Sequence, residues 1–194
     1  MKGEKNKMKQ GQVMDLGLPE GMEMVHYGDS VEITRRWFSC VNIFFTVFTL
    51  FWCGFLVFWY VMAAQSGSLA MLLFPLLHVT VGIGLFYYTL AGYLNKTYVR
   101  ADWSTLSVRH APLPWFGNRT LDARDIKQIY VKEHISRSRH GSTSTTFEVH
   151  ALTHSGKNLK LLAGLPNSEQ ALFIEQEIEK FLHIEDVPVR GEYG

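Results

Sequence analysis

The sequence predicts a membrane α-helical hairpin joined to an α+β domain, with two transmembrane helices inserted between strands of an antiparallel sheet that a C-terminal helix caps. Three observations carry this. All 19 Lys/Arg and 18 Asp/Glu residues lie outside the stretch Trp37 to Asn95, a segregation that marks membrane proteins. Strand-like alternation stands on both sides of that uncharged block, and the chain closes with an amphipathic helical run.

Within the block, Phe38 to Met62 and Leu69 to Leu94 each exceed the roughly 20 residues a helix needs to cross ~30 Å of hydrocarbon. The connection "AAQSGS", Ala63 to Ser68, is a short turn that permits only an antiparallel hairpin. A cleaved secretory signal fits poorly, because the first span is too long and strand-like sequence precedes it. Arg35 and Arg36 flank the first span, Lys96, Arg100 and Arg109 follow the second, and the turn carries no cation. That asymmetry places both termini in the cytoplasm and makes the chain a multi-pass protein of the cytoplasmic (inner) membrane. Trp37, Tyr93 and Lys96 suit an inner interfacial belt, Trp59 and Tyr60 an outer one. Cys40 and Cys53, the two cysteines, both fall in the first span, where no disulfide framework or CxxC site is available.

Before the block, Met22, Met24 and His26 alternate, Gly28-Asp29 signals a turn, and Val31 and Ile33 begin a second extended run. After it, extended segments are expected at Thr97–Ala101, Thr105–His110 and Ile126–His134. Phe147, Val149 and Ala151 alternate into a turn at Ser155-Gly156 and return through Leu159 and Leu161, a second hairpin. In "NSEQALFIEQEIEKFLHI", Asn167 or Ser168 can cap a helix whose stripe is Ala171, Ile174, Ile178, Phe181 and Leu182. The acids of "EQEIEKF" are expected on its solvated face.

The series "NKTYVRADWSTLSVRHAPLPWFGNRTLDARDIKQIYV", followed by a hairpin and a final helix, resembles bacterial two-span inner-membrane proteins with a cytoplasmic PH-like domain. The resemblance implies a small bent sheet closed at one end by the helix Ser168 to His183, and no binding residues are carried over from it. The expected organisation is a disordered tail over 1–19, a β-hairpin over 20–36 joining the cytoplasmic domain, the transmembrane hairpin over 37–95, the PH-like domain over 96–184 and a tail over 185–194. The joints at Trp37 and Asn95 have no linker. They fix the domain's orientation against the bilayer, with Val31 or Ile33 in one core with Val149 and Leu161.

Candidate functional residues fall into two groups. In the hairpin, Asn42, Thr46, Thr49 and Cys53 recur at helical spacing on the first span, facing His78, Gly82 and Thr89 on the second. Aligned about the turn, Thr49 is expected level with Gly82 and Cys53 with His78. Such a polar seam serves interhelical packing and hydrogen bonding, and an intramembrane His is also the standard mark of an ion route. Pro75 is expected to bend the second span. The second group, Arg35, Arg36, Lys96, Arg100, Arg137 and Arg139, suits lipid headgroups or an acidic partner. His134, His140, His150 and His154 are expected as surface imidazoles, because His150 and His154 would stand ~13 Å apart along a strand.

No P-loop, GxGxxG, GxSxG or zincin motif occurs, so neither an enzyme nor a cofactor is expected. The near-neutral balance, +1 overall, argues against nucleic acid. The expected partners are the lipid bilayer and another membrane protein or a second copy. The function that follows is a membrane-anchored interaction or scaffold module. The alternative is a small subunit of a transport or channel assembly built from packed hairpins.

Overall fold

The computed structural model describes residues 12–13, 17–137, 141, 143–185, 187–189 and 191–193. The chain divides into two units, one made of the segments up to Arg36 and from Lys96 onward, the other of Trp37–Asn95. Most of the tail expected over 1–19, together with Arg139 and His140, lies outside the described residues.

The first unit is α+β. Its larger sheet is antiparallel with six strands in chain order, β1 (Gln12–Val13), β2 (Met22–His26), β3 (Ser30–Arg36), β4 (Lys96–Asp102), β5 (Thr105–Ala111) and β6 (Arg119–Asp122). A second sheet holds β7 (Ile126–Arg137), β8 (Thr143–Thr153) and β9 (Asn158–Leu165). The expected single sheet is therefore two. The chain changes sheet at a 3-10 turn, Ala123–Asp125, where the Asp122 side chain accepts from the backbone N–H of Arg124.

Period-two alternation turns one face of each strand inward. Met22, Met24, Val31, Ile33, Val99, Leu106 and Val108 of the larger sheet meet Ile129, Val131, Val149 and Leu161 of the smaller in one core. Gly28 turns β2 into β3 at φ +83°, a conformation that an L side chain resists. Strands β3 and β4 pair to their last residues, Arg36 opposite Lys96.

The terminal helix follows the two sheets and adds its own apolar stripe to that core. In the first unit it spans Ser168–Leu182, and Ala171, Ile174 and Ile178 are buried. Asn167 occupies the N-cap position, although its side chain makes no capping bond. The expected solvated acidic face is corrected. Glu175 and Glu179 are each only 5% exposed, and Glu179 satisfies polar groups of β7 beside a register shift between Ile126 and Gln128. Glu179 Oε1 accepts from Gln128 Nε2 at 2.8 Å and from the Ile129 backbone N–H at 3.1 Å.

The second unit contains α1 (Cys40–Ser66), α2 (Leu69–Leu73) and α3 (Leu76–Leu94), the Ser168–Leu182 helix being α4. Cys40–Ser66 and Leu69–Leu94, 27 and 26 residues, are long and apolar enough to cross a membrane. Only 17% and 11% of their most apolar stretches is buried, whereas the core helix of a soluble protein would be mostly covered. The buried residues of α1 are Asn42, Thr49, Leu56 and Ala63, a strict seven-residue repeat that keeps one seam against a partner helix. Pro75 does more than bend the second run. It has no N–H to continue the ladder, and the helix breaks at Phe74-Pro75 into α2 and α3.

Candidate functional site

In the hairpin, the seam residues satisfy one another. Thr49 Oγ1 and Thr89 Oγ1 share a buried hydrogen bond of 3.0 Å. Thr46 donates to the Asn42 carbonyl at 2.8 Å, the back-bond open to a helical threonine, and its hydroxyl lies 2.9 Å from Tyr93 OH. Asn42 closes the start of α1, its Oδ1 accepting from Ser39 N at 3.0 Å and Ser39 Oγ at 3.2 Å. Gly92 makes room for it, since a Cβ there would collide with Asn42 Nδ2. At Gly82 a Cβ would come within 3.3 Å of both Leu56 and Trp52. Small residues thus let the helices approach, as in membrane helix pairs generally.

The expected alignment of Thr49 is corrected. Thr49 pairs with Thr89 rather than standing level with Gly82, which packs beside Leu56 and Trp52. The cause is that α1 runs on through Ser66 to a left-handed cap at Gly67, and the break at Pro75 takes up further chain. His78 meets Trp52, the residue before Cys53. The two rings stack at 5.8 Å and Trp52 Nε1 donates to the His78 carbonyl at 3.1 Å. Phe74 covers His78 at 6.1 Å. Cys53 instead lines an apolar groove of about 710 Å³ with Val57, Tyr60, Gly82 and Phe86. His78 Nδ1 is buried and makes no hydrogen bond, an uncommon state for a buried polar atom.

No protein-family model matches the chain, and no curated protein matches it either. Its chemistry is therefore read from its own side chains.

The cationic group divides. Arg35 is half-buried and donates from Nε to Gln170 Oε1 at 3.1 Å, while Gln170 Nε2 donates to the Glu20 carbonyl at 2.8 Å. It ties β3 to α4 from its inward position on the strand. Arg36 is ion-paired to Glu23, with Lys96 Nζ 4.0 Å from the same carboxylate. The hydrogen bond from Arg36 holds Glu23 below its ordinary pKa. Arg100 is exposed, its guanidinium over Tyr27 at 5.9 Å and one nitrogen 3.2 Å from Ser30 Oγ. Arg137 is exposed at the end of β7.

A cluster that the sequence reading passed over lies across β7, β8 and β9. His150, expected as a surface imidazole, is 8% exposed. Its Nδ1 is 2.9 Å from Asn158 Oδ1 and its Nε2 2.9 Å from Glu148 Oε2. Asn158 also bonds Tyr130 OH, whose ring stacks on His150, and Lys160 Nζ reaches Glu148 Oε1 at 2.8 Å. Burial would raise the Glu148 pKa, but the bonds and charges of Lys160 and His150 outweigh it and hold the carboxyl below its ordinary value. The sequence signal was present: Glu148 and His150 share one face of β8 with Asn158 and Lys160 of β9 beside them. These bonds connect side chains of β7, β8 and β9 into one polar set. His154, by contrast, lies past the end of β8 and is exposed, and His134 is exposed within β7.

Proposed function

We propose that this chain is a membrane-anchored interaction module, in which Cys40–Ser66 and Leu69–Leu94 cross the cytoplasmic membrane and hold a PH-like domain at its inner face. One observation carries the reading. Strands β3 and β4 are paired to their ends, Arg36 opposite Lys96, and α1 and α3 begin and finish within a few residues of those ends. Both ends of the hairpin therefore join neighbouring strands of one sheet, ~5 Å apart. The cations Arg35, Arg36, Lys96, Arg100 and Arg109 beside the joints, with none in the turn, support cytoplasmic termini. The outward aromatics Phe44, Phe51 and Phe58, each more than 60% exposed, supply a face for a second membrane helix. Photo-crosslinking from Phe51 in native membranes tests this. A protein adduct of one defined mass is expected; adducts with lipid alone would remove the partner.

His78 favours a second reading, a subunit of a transport or channel assembly, because its buried Nδ1 makes no bond and intramembrane ionisable groups often mark ion routes. The seam argues against it. Thr46, Thr49, Thr89 and Asn42 are already committed to internal bonds. A pH-dependent flux in reconstituted vesicles, lost in a folded His78→Asn variant, would decide for transport.

A further inference from the structure

Three strand ends lie side by side in the larger sheet. Arg36 of β3 faces Lys96 of β4, and Lys96 faces Ala111 of β5. The first two continue into α1 and out of α3. The third continues into the loop "PLPWFGN", Pro112 to Asn118, which therefore leaves the sheet ~5 Å from a strand that joins the hairpin.

This loop is built rather than slack. Asn118 Oδ1 accepts from the His110 backbone N–H at 2.7 Å. Gly117, at φ +105°, sits so close to the His110 ring that a Cβ would come within 3.1 Å of Nε2. His110 is in turn fixed by Thr97 Oγ1 at 3.0 Å from Nδ1. The loop so held presents Phe116 94% exposed, a large apolar ring offered wholly to its surroundings.

Arginines flank it. Arg100, Arg109 and Arg119, with Tyr98, Ser107 and Thr120, line a concavity of about 480 Å³ on the outer face of the sheet, where Glu32 is the one carboxylate. Arg109 lies over the Tyr98 ring at 5.6 Å. Among the described residues none of the three arginines forms an ion pair. Planar guanidinium forks beside hydroxyls suit phosphate oxygens, and Phe, like Trp and Leu, buries at the boundary of headgroups and acyl chains when a basic polar surface lies beside it.

We propose that this loop is a third membrane contact: Phe116 inserts at the headgroup boundary of the leaflet that the hairpin enters, and Arg100, Arg109 and Arg119 bind phosphates of anionic lipids. The proposal rests on the reading that the hairpin crosses the membrane. It adds a lipid contact made by the loop Pro112 to Asn118 to those made by the two spans.

The test uses the full chain carrying Cys40→Ser and Cys53→Ala in lipid nanodiscs, with one spin label at a time. Labels go on Leu50→Cys within α1, Phe116→Cys, and Ser104→Cys in the turn at the opposite end of β4 and β5. Collisions with oxygen report lipid and collisions with a water-soluble nickel chelate report water. Positions 50 and 116 should favour oxygen and position 104 nickel. In discs containing phosphatidylglycerol, adding Arg109→Gln and Arg119→Gln should shift position 116 toward nickel. A label at 116 as nickel-accessible as that at 104, with 50 still in lipid, overturns the proposal and leaves the spanning reading intact. A water-exposed label at 50 overturns both. Immersion of 116 that ignores both arginines and anionic lipid overturns the phosphate assignment.

Discussion

Ile33 and Thr49 are buried to similar degrees, 1% and 5% exposed, yet they hold their regions together by different physics. Ile33 sits in a core of aliphatic side chains from both sheets and α4, where removal of apolar surface from water is the driving term. Thr49 sits on the one covered stripe of a helix whose remaining face is Val, Leu and Phe. In lipid, those outward side chains gain nothing by turning inward, so cohesion falls to small-residue packing and a few hydrogen bonds. The polar interiors differ in the same sense. In the sheet domain, charges are buried in connected sets, Glu179 with Gln128 and Glu148 with His150 and Lys160; the hairpin Trp37 to Asn95 contains no Asp, Glu, Lys or Arg.

The comparison can be broken most severely at Gly92. A Leu there meets the Asn42 side chain, so Gly92→Leu should separate α1 from α3 while leaving the sheet domain's hydrogen-exchange protection unchanged. Loss of protection in both units would show that they do not fold independently. Ile33→Ala should do the reverse, lowering the domain's stability by ~2–5 kcal/mol without altering cross-linking between engineered cysteines on α1 and α3.

Acid sharpens the contrast. The folded pKa of Glu148 is held below its ordinary 4.5, so its stabilisation is full above that value and is lost as pH falls through the lower folded pKa. Asp102, which accepts from the hydroxyls and amides of Ser104 and Thr105, is held down in the same direction. Domain stability should therefore fall below pH 4.5 with a slope that Glu148→Gln reduces but does not abolish. His110 is lowered too, by burial first and then by the charge of Arg35. The same sign places its contribution above about pH 6.5, declining below. The smallest effect belongs to the hairpin. A double-mutant cycle of Thr49→Val and Thr89→Val should give a coupling of ~0.6 kcal/mol, and a value near zero would make their contact incidental.

Much of the layout was legible because it depends on local pattern. The uncharged block, the Met22–Arg36 strands, the Ser155-Gly156 hairpin and the Ala171, Ile174, Ile178 stripe all carry their period in sequence. Strand β6 did not, since "RTLD" has one apolar residue and pairs at an outer edge. The division into two sheets depends on the turn at Ala123–Asp125, which sequence alone could not distinguish from an ordinary loop. The seam residues were found from helical spacing, whereas their partners were misaligned because the length of α1 and the break at Pro75 set the register. The burial of Glu179 and His150 depends on groups of other elements, a β7 irregularity and a β9 amide. Charge had suggested exposure for both.

Labelling of single cysteines by a membrane-impermeant maleimide in intact cells tests the arrangement most directly. The chain would carry Cys40→Ser and Cys53→Ala, with Ser66→Cys at the end of α1 or Lys157→Cys in the turn between β8 and β9. Position 66 should label in intact cells and position 157 only after permeabilisation. Labelling of position 157 from outside, or of neither position until the cells are opened, would contradict a two-span hairpin holding its domain on the cytoplasmic face.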